Sequence, residues 1–400
     1  MRGGLTTPAG LLPIIYLAFI SLGLPDSAIG SAWPTMVPQL GAGISWVGAI
    51  TMIISCGTIF SSLMSVRVVE RFGTGKVTVA SVALTAAALV GFSQAQAFWQ
   101  LVILAVPYGF GAGAVDAALN AYVAIHYESQ HMSWLHCMWG VGASAGPIIM
   151  AQCLNGTTWS LGFLVLGGIQ VLIAVVITLS LPLWRDKQLP HVSDDVSAGE
   201  NAPHHKTRAE LLRIPGVPAV LICFFCYCAL EGTCGTWAAT YCNLGRGIDA
   251  ATAAGWASLF YLGITFGRAV SGFVSMKMRD HNMIRLGQGI ILVGLLLVVS
   301  PWSSTMLAPG LVLLGAGCAP IYPSVIHATP ARFGDEVALE LTGMQMAFAN
   351  IGSLAMSPLF GVIAQNVSVE LYPLYLGVLL VVMVVAGEKL NRIMVRQSRI

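Results

Sequence analysis

The chain has 400 residues, of which 56% are hydrophobic and only 9% charged, with a mean hydropathy of +0.79 and a formal net charge of +2. Soluble domains carry about 25% charged residues, so a surface this poor in charge cannot face water throughout. A soluble enzyme, a nucleic-acid-binding protein and a disordered chain are excluded on those grounds, and the small net charge offers nothing to a polyanion.

A helix crossing a bilayer needs about 20 mostly apolar residues. Twelve stretches meet that need: 11–38, 44–68, 76–94, 98–126, 132–153 and 158–184, then 214–243, 251–276, 281–301, 305–328, 338–364 and 369–391. The first is too long for a signal-peptide core and no small-residue cleavage site closes it, so it is expected to stay as a helix. Between the sixth and seventh, residues 185–213 are polar, charged and interrupted by Pro and Gly, the composition of a solvated linker. The expected organisation is therefore all-α: a six-helix bundle over 1–184, a cytoplasmic linker over 185–213, and a second bundle over 214–400.

Placing the N-terminus in the cytoplasm puts every basic residue except Arg246 and Arg268 on the cytoplasmic side, out of 19 Lys and Arg. That bias orients the chain with both termini inside, in a cell (inner) membrane. The nine cysteines fall in apolar stretches without a paired framework, and Cys223-x-x-Cys226 shares its span with Phe and Leu, so small apolar filling explains it better than metal. His191, His204 and His205 in the linker lack accompanying cysteines or regular carboxylates, so no metal and no cofactor is expected.

The second six spans repeat the first. Trp46 and Gly57 match Trp256 and Gly267 at one common spacing, Gly111-Ala112-Gly113 matches Gly315-Ala316-Gly317, and Gly142 and Pro147 match Gly352 and Pro358. Asp26 stands four residues before Gly30, as Glu231 stands four before Gly235. Two six-helix halves in parallel repeat are the build of a rocker-type secondary transporter.

The loop after the second span reads Glu70-Arg71-Phe72-Gly73-Thr74-Gly75-Lys76, and its counterpart keeps Gly267-Arg268, Ser271-Gly272-Phe273 and Met276-Lys277. On these residues and the repeat, the whole chain resembles the major facilitator superfamily, although Val66, Thr74 and Gly75 depart from the loop signature. A narrower similarity is to the fucose–proton symporter branch and its sugar-transporting relatives. It rests on Gly111-x-Gly113 followed by Asp116 and Asn120, on Asp26 in Gly23-Leu24-Pro25-Asp26, and on His136 ahead of Gly140-x-Gly142. The resemblance implies a major facilitator fold of two pseudo-symmetric bundles and transport of a small polar solute, not an enzyme.

Ionisable groups inside a membrane are costly and mark cavities or partners. Five lie within spans: Asp26, Asp116, His136, Glu231 and Arg268. Asn120 and His136 are equidistant from the turn joining the fourth and fifth spans, and Asp116 lies one turn from Asn120 on the same face, so the three are expected to cluster. Each also has a structural reading: Asp26 as the acid of a kinked helix end beside Pro25, Asn120 and His136 as interhelical glue, Arg268 as a side chain snorkelling to the surface. Trp33, Trp139, Trp237, Trp256 and Tyr322 stand next to polar span positions, where rings serve either to stack on a sugar or to anchor at the membrane interface. Trp33 and Trp237, by repeat equivalence, and Tyr322 are the expected sugar contacts. Glu70, Arg71 and Arg268 are the expected gating charges.

The function that follows is proton-coupled uptake of a monosaccharide by a monomer, with Asp26 and Asp116 carrying the proton. Burial in a low dielectric lets a carboxyl group trade its proton near neutral pH. Sodium is the other available ion. An exporter of drug-like or lipid-like compounds is the competing reading, and its cavity would be more apolar. A membrane enzyme is disfavoured by the absence of His-Glu-x-x-His and Gly-x-Ser-x-Gly motifs, and a receptor by the two-fold repeat, which it does not need.

Overall fold

The computed structural model describes residues 10–127, 129–156, 158–184, 208–300 and 304–397. The described residues form twelve helices long and apolar enough to cross a membrane, with no strand among them. They are α1 (Leu11–Leu40), α2 (Trp46–Phe72), α3 (Thr74–Ser93), α4 (Phe98–His126), α5 (Ser129–Leu154) and α6 (Trp159–Leu179). The second set is α7 (Val217–Gly245), α8 (Ala250–Val274), α9 (Asp280–Val299), α10 (Leu307–Phe333), α11 (Asp335–Asn366) and α12 (Tyr372–Gln397). Most of the expected linker, including His191, His204 and His205, lies outside the described residues; Arg208–Arg213 is a short helix with Leu211 buried.

Two helices are broken near their middles. In α1 the first piece ends at Asp26, one residue past Pro25, and the second begins at Ala28. In α10 the pieces meet at Ala319 and Pro320, where the missing proline N–H interrupts the ladder. α1 closes on Gly41, whose φ of +58° is the left-handed conformation glycine adopts at a helix end.

The apolar residues that face outward, among them Leu63, Leu179, Phe266 and Phe273, form the surface a bilayer covers. Within each half the helices approach through small residues. Gly142 sits on the backbone of Ile20 and Leu24 as Gly352 sits on Phe225 and Ala229. These paired contacts place Asp26 and Glu231 in equivalent positions, as the sequence match expected.

The same comparison corrects the rest of the repeat. Gly109 meets Ile54 and Gly111 meets Ser81 and Thr85; in the second half Gly315 meets Phe260, and Gly317 meets Gly287 and Ile291. Gly113 lies against Ser61, and Gly267 lies against Ala319. Gly111 therefore corresponds to Gly317 rather than Gly315, Gly57 to Gly263, and Ser61 to Gly267. A Gly-x-Gly string can slip by two residues and still align glycines, whereas packing partners fix one register. In that register Asp116 corresponds to Tyr322, and Arg268 to Ser62.

The halves join at the end remote from the chain termini. A Cβ on Gly30 would lie 2.7 Å from the Thr236 carbonyl oxygen and 3.1 Å from that of Gly235, so the two repeat-equivalent glycines meet each other there. Gly48 packs on Pro358, Gly361 on Trp237 and Ser45, and Ser45 donates its hydroxyl to Gln365.

Candidate functional site

At mid-depth a chain of polar contacts crosses from one half to the other. Asp26, at the break in α1, accepts the Trp139 indole N–H of α5 on Oδ2 at 2.8 Å and the Tyr108 hydroxyl of α4 on Oδ1 at 3.2 Å. The Trp139 ring in turn carries the Arg268 guanidinium of α8, 5.6 Å from the ring centroid. Arg268 pairs with Glu231 of α7 at 3.8 Å, the two side chains being 22% and 21% exposed. Tyr261 of α8 stands edge-on to Trp139 at 6.3 Å.

Local sequence explains how these groups meet. Pro25 and the break at Ser27 free Asp26 from the helix ladder; Ser27 donates its hydroxyl to the Ala143 carbonyl and pins the break to α5. Gly23 lies on the Trp139 and Ala143 backbone, so α1 and α5 approach with no side chain between them. Gly140, next to Trp139, lies on Thr265 of α8 and brings the halves together at that level.

Asp116 and Asn120 form the second polar group. The Asn120 amide donates to Asp116 Oδ1 at 2.9 Å and to the Asp116 carbonyl at 3.0 Å. Asp26 and Asp116 are near enough to feel each other's charge, and Tyr322 on α10 feels that of Asp116. No ion pair reaches either aspartate among the described residues.

The other expected site residues are placed as follows. Among the described residues no hydrogen bond or ion pair joins His136 to Asp116 or Asn120; its ring stands edge-on to Phe19 at 5.8 Å. Equal distance from a hairpin turn sets equal height but not the direction a side chain takes around its helix. Tyr322 gives its hydroxyl to the Met346 sulfur at 3.0 Å and packs its ring on Phe224. Trp33 and Trp237 are 0% exposed and present no ring to a solute in this conformation. The Trp33 indole donates to the Ile44 carbonyl of its own half, and that of Trp237 donates to the Ser357 carbonyl at the remote junction. Arg268 turns inward to Glu231 rather than out to the surface. Glu70 and Arg71 are exposed, and Arg71 lies over the Phe72 ring instead of in a charge cluster among the described residues.

Sequence reasoning passed over Tyr108 and Tyr261; Trp139 stood among the aromatic residues beside polar span positions, three residues after His136 on the same helical face.

Bypass of stop codon protein 6 of Saccharomyces cerevisiae is 22% identical to this chain, over 92% of the chain and 80% of its own length. The glucose/mannose transporter GlcP of Bacillus subtilis is 20% identical over 86% of each. The fold is shared with the crystal structure of a bacterial homolog of the human lysosomal transporter Spinster, in an inward-facing and occupied conformation. That likeness has a TM-score of 0.73 and 12% identity, and covers 98% of both chains. The family model of the Major Facilitator Superfamily matches residues 15–299 and again 220–390. Twelve membrane-crossing helices in two pseudo-symmetric bundles, polar groups gathered where the bundles face each other, and a family match along nearly the whole length make this multi-pass membrane transporter a member of the Major Facilitator Superfamily.

Proposed function

We propose that the protein takes up a neutral monosaccharide together with a proton, acting as a monomer in the cell membrane with both termini in the cytoplasm and residues 185–213 joining its halves. The observation that carries this reading is the Asp116–Asn120 pair, a carboxylate with a hydrogen-bond donor but no cation partner among the described residues. Such a group can accept a proton without first breaking an ion pair. Asp26 is placed in the same way, held by two uncharged donors.

Charge balance supports a neutral solute. Of Asp26, Asp116 and Glu231 only Glu231 is paired with a cation among the described residues, so an anionic solute would add charge to a site already rich in acid. Asp26, Asn120, His136, Glu231 and Tyr322 are the candidate groups for sugar hydroxyls, with Asp116 and Asp26 the coupling acids. The similarity to a glucose/mannose transporter points to the same class of solute.

Uptake of labelled monosaccharides into proteoliposomes, with and without an imposed pH gradient, tests the reading. Accumulation of one sugar driven by the gradient is expected; accumulation driven by sodium would replace the ion, and efflux of apolar compounds alone would replace the function with export. Asp116→Asn should abolish proton-driven accumulation while leaving exchange of labelled for unlabelled sugar intact. Loss of folding and of both activities together would make Asp116 structural.

A further inference from the structure

Asp26 and Glu231 are equivalent acids on opposite sides of the boundary between the halves, and one side chain touches both the first acid and the arginine partner of the second. The N–H edge of Trp139 is bonded to Asp26 within its own half at 2.8 Å, while the face of its ring carries Arg268 of the other half at 5.6 Å. Arg268 is held from behind by Glu231. We propose that Trp139 is the positioning residue that transmits the state of Asp26 to the contact between the halves, so that the carrier reorients once Asp26 has taken up a proton.

The physical link is the orientation of the indole ring. A hydrogen bond from N–H to an ionised carboxylate is roughly twice as strong as one to a neutral acceptor. With Asp26 ionised the ring is fixed edge-on to the carboxylate, and its face is held under the guanidinium, where the attraction depends on the cation staying over the ring. A proton on Asp26 weakens the bond at Oδ2, and the ring is then free to tilt away from Arg268. The guanidinium keeps its carboxylate partner in Glu231, so nothing charged is stranded as the halves part. The contact is thus a latch with its keeper in the second half and its release in the first.

The other titratable groups around the latch come from every helix packed on it. Tyr108 and Asp116 face Asp26 from α4, and Tyr261 faces it from α8; Tyr227 of α7, His136 and Cys137 of α5, and Cys318 and Tyr322 of α10 face Arg268. Tyr108 bonds the other carboxylate oxygen and its hydroxyl can turn to accept from the protonated acid, whereas the Trp139 N–H can only donate, so the Trp139 bond is the element that changes.

The inference rests on proton coupling but not on the identity of the solute, so its test uses none. Hydrogen–deuterium exchange is measured on the full-length protein in nanodiscs at pH 5.5 and 8, corrected for intrinsic rates, in peptides covering Gly30–Gly48 and Ser357–Gln365 at the remote junction. In the unsubstituted protein, exchange there should rise about threefold or more at the lower pH as the junction opens. Trp139→Phe keeps the ring but removes the donor, and should give the same exchange at both pH values. Asp26→Asn should show the low-pH exchange at both. A pH response in Trp139→Phe equal to that of the parent would overturn the proposal, as would Asp26→Asn behaving like the parent or a parent without any response. If the latch responds as described but no sugar accumulates on a pH gradient, the sugar reading fails and the latch stands.

Discussion

Asp26 and Glu231 hold the same place in two copies of one six-helix design, yet they have different company. Around Asp26 the first half sets Tyr108 and Trp139, both uncharged donors. At the positions equivalent by packing, the second half has Leu314 and Ala349, and it supplies Arg268 where the first half has Ser62. The fourth and tenth helices diverge in the same sense, with Asp116 in one and Tyr322 in the other. What an acid does in this fold is therefore decided by its neighbours. Opposite an arginine it is one end of a charge pair, and between neutral donors it is left able to exchange a proton.

The largest expected effect comes from breaking that contrast in the second half. Glu231→Gln leaves Arg268 without its counter-charge. Because the pair is about a fifth exposed, the cost should be about 1–3 kcal/mol, below that of a fully buried pair. Thermal unfolding in detergent reads it, and Glu231→Gln with Arg268→Gln should recover most of the loss. A double variant no more stable than the single one would show that the pair is not a unit. Asp26→Asn, by contrast, should unfold at nearly the parent temperature.

A second comparison concerns the glycines that meet at the remote junction. A Cβ on Gly30 runs into backbone carbonyls of α7, whereas one on Gly235 meets the Tyr261 hydroxyl, a side-chain atom that yields more readily. Gly30→Val should hold that end apart and lower the transport rate by more than about tenfold, since reorientation limits turnover in such carriers. Gly235→Ala should cost clearly less. Equal losses would mean that the junction is symmetric in its tolerance.

Arg71, in the last turn of α2, and Lys277, just past the end of α8, hold equivalent positions. Arg71→Gln is expected to slow net transport several-fold with little change in solute affinity, and Lys277→Gln to do less. Loss of affinity without loss of rate would remove Arg71 from gating.

The smallest effect separates the starts of the same two helices. Asp249 caps α8 by accepting the Thr252 N–H at 2.9 Å, whereas Ser45 at the start of α2 makes no such cap and bonds to Gln365 instead. Asp249→Ala should therefore cost about 1 kcal/mol of stability, while Ser45→Ala should act on the junction and leave the helix alone. The Thr252 hydrogen bonds hold the Asp249 carboxyl below its ordinary range. Its contribution is complete above the unfolded-state carboxylate pKa near about 4, and is lost as pH falls through the lowered folded value. Chemical unfolding of parent and Asp249→Ala at pH 7 and pH 3 should converge at the lower pH.

Composition and hydropathy by themselves determined the twelve crossings, because a helix in hydrocarbon must satisfy its own backbone and show an apolar surface along its whole length. The sequence also determined that Asp26 and Glu231 are equivalent, and that Asp116 and Asn120 touch, since residues four apart on a helix are neighbours wherever the helix lies. The tertiary structure decided everything that depends on rotation about a helix axis. It set His136 against Phe19 instead of Asp116, turned Arg268 inward, and moved the repeat register by the choice of packing partners. It also reversed the reading of the tryptophans. Trp33 and Trp237 stood out as repeat partners, but the spacing that pairs Asp26 with Glu231 and Gly30 with Gly235 sets Trp33 opposite Ala238, and both rings are buried. Trp139 has only an alanine as its counterpart, so no symmetry argument could single it out. The positions a repeat preserves are those that build the fold, and the chemistry of the site lies where its two copies differ.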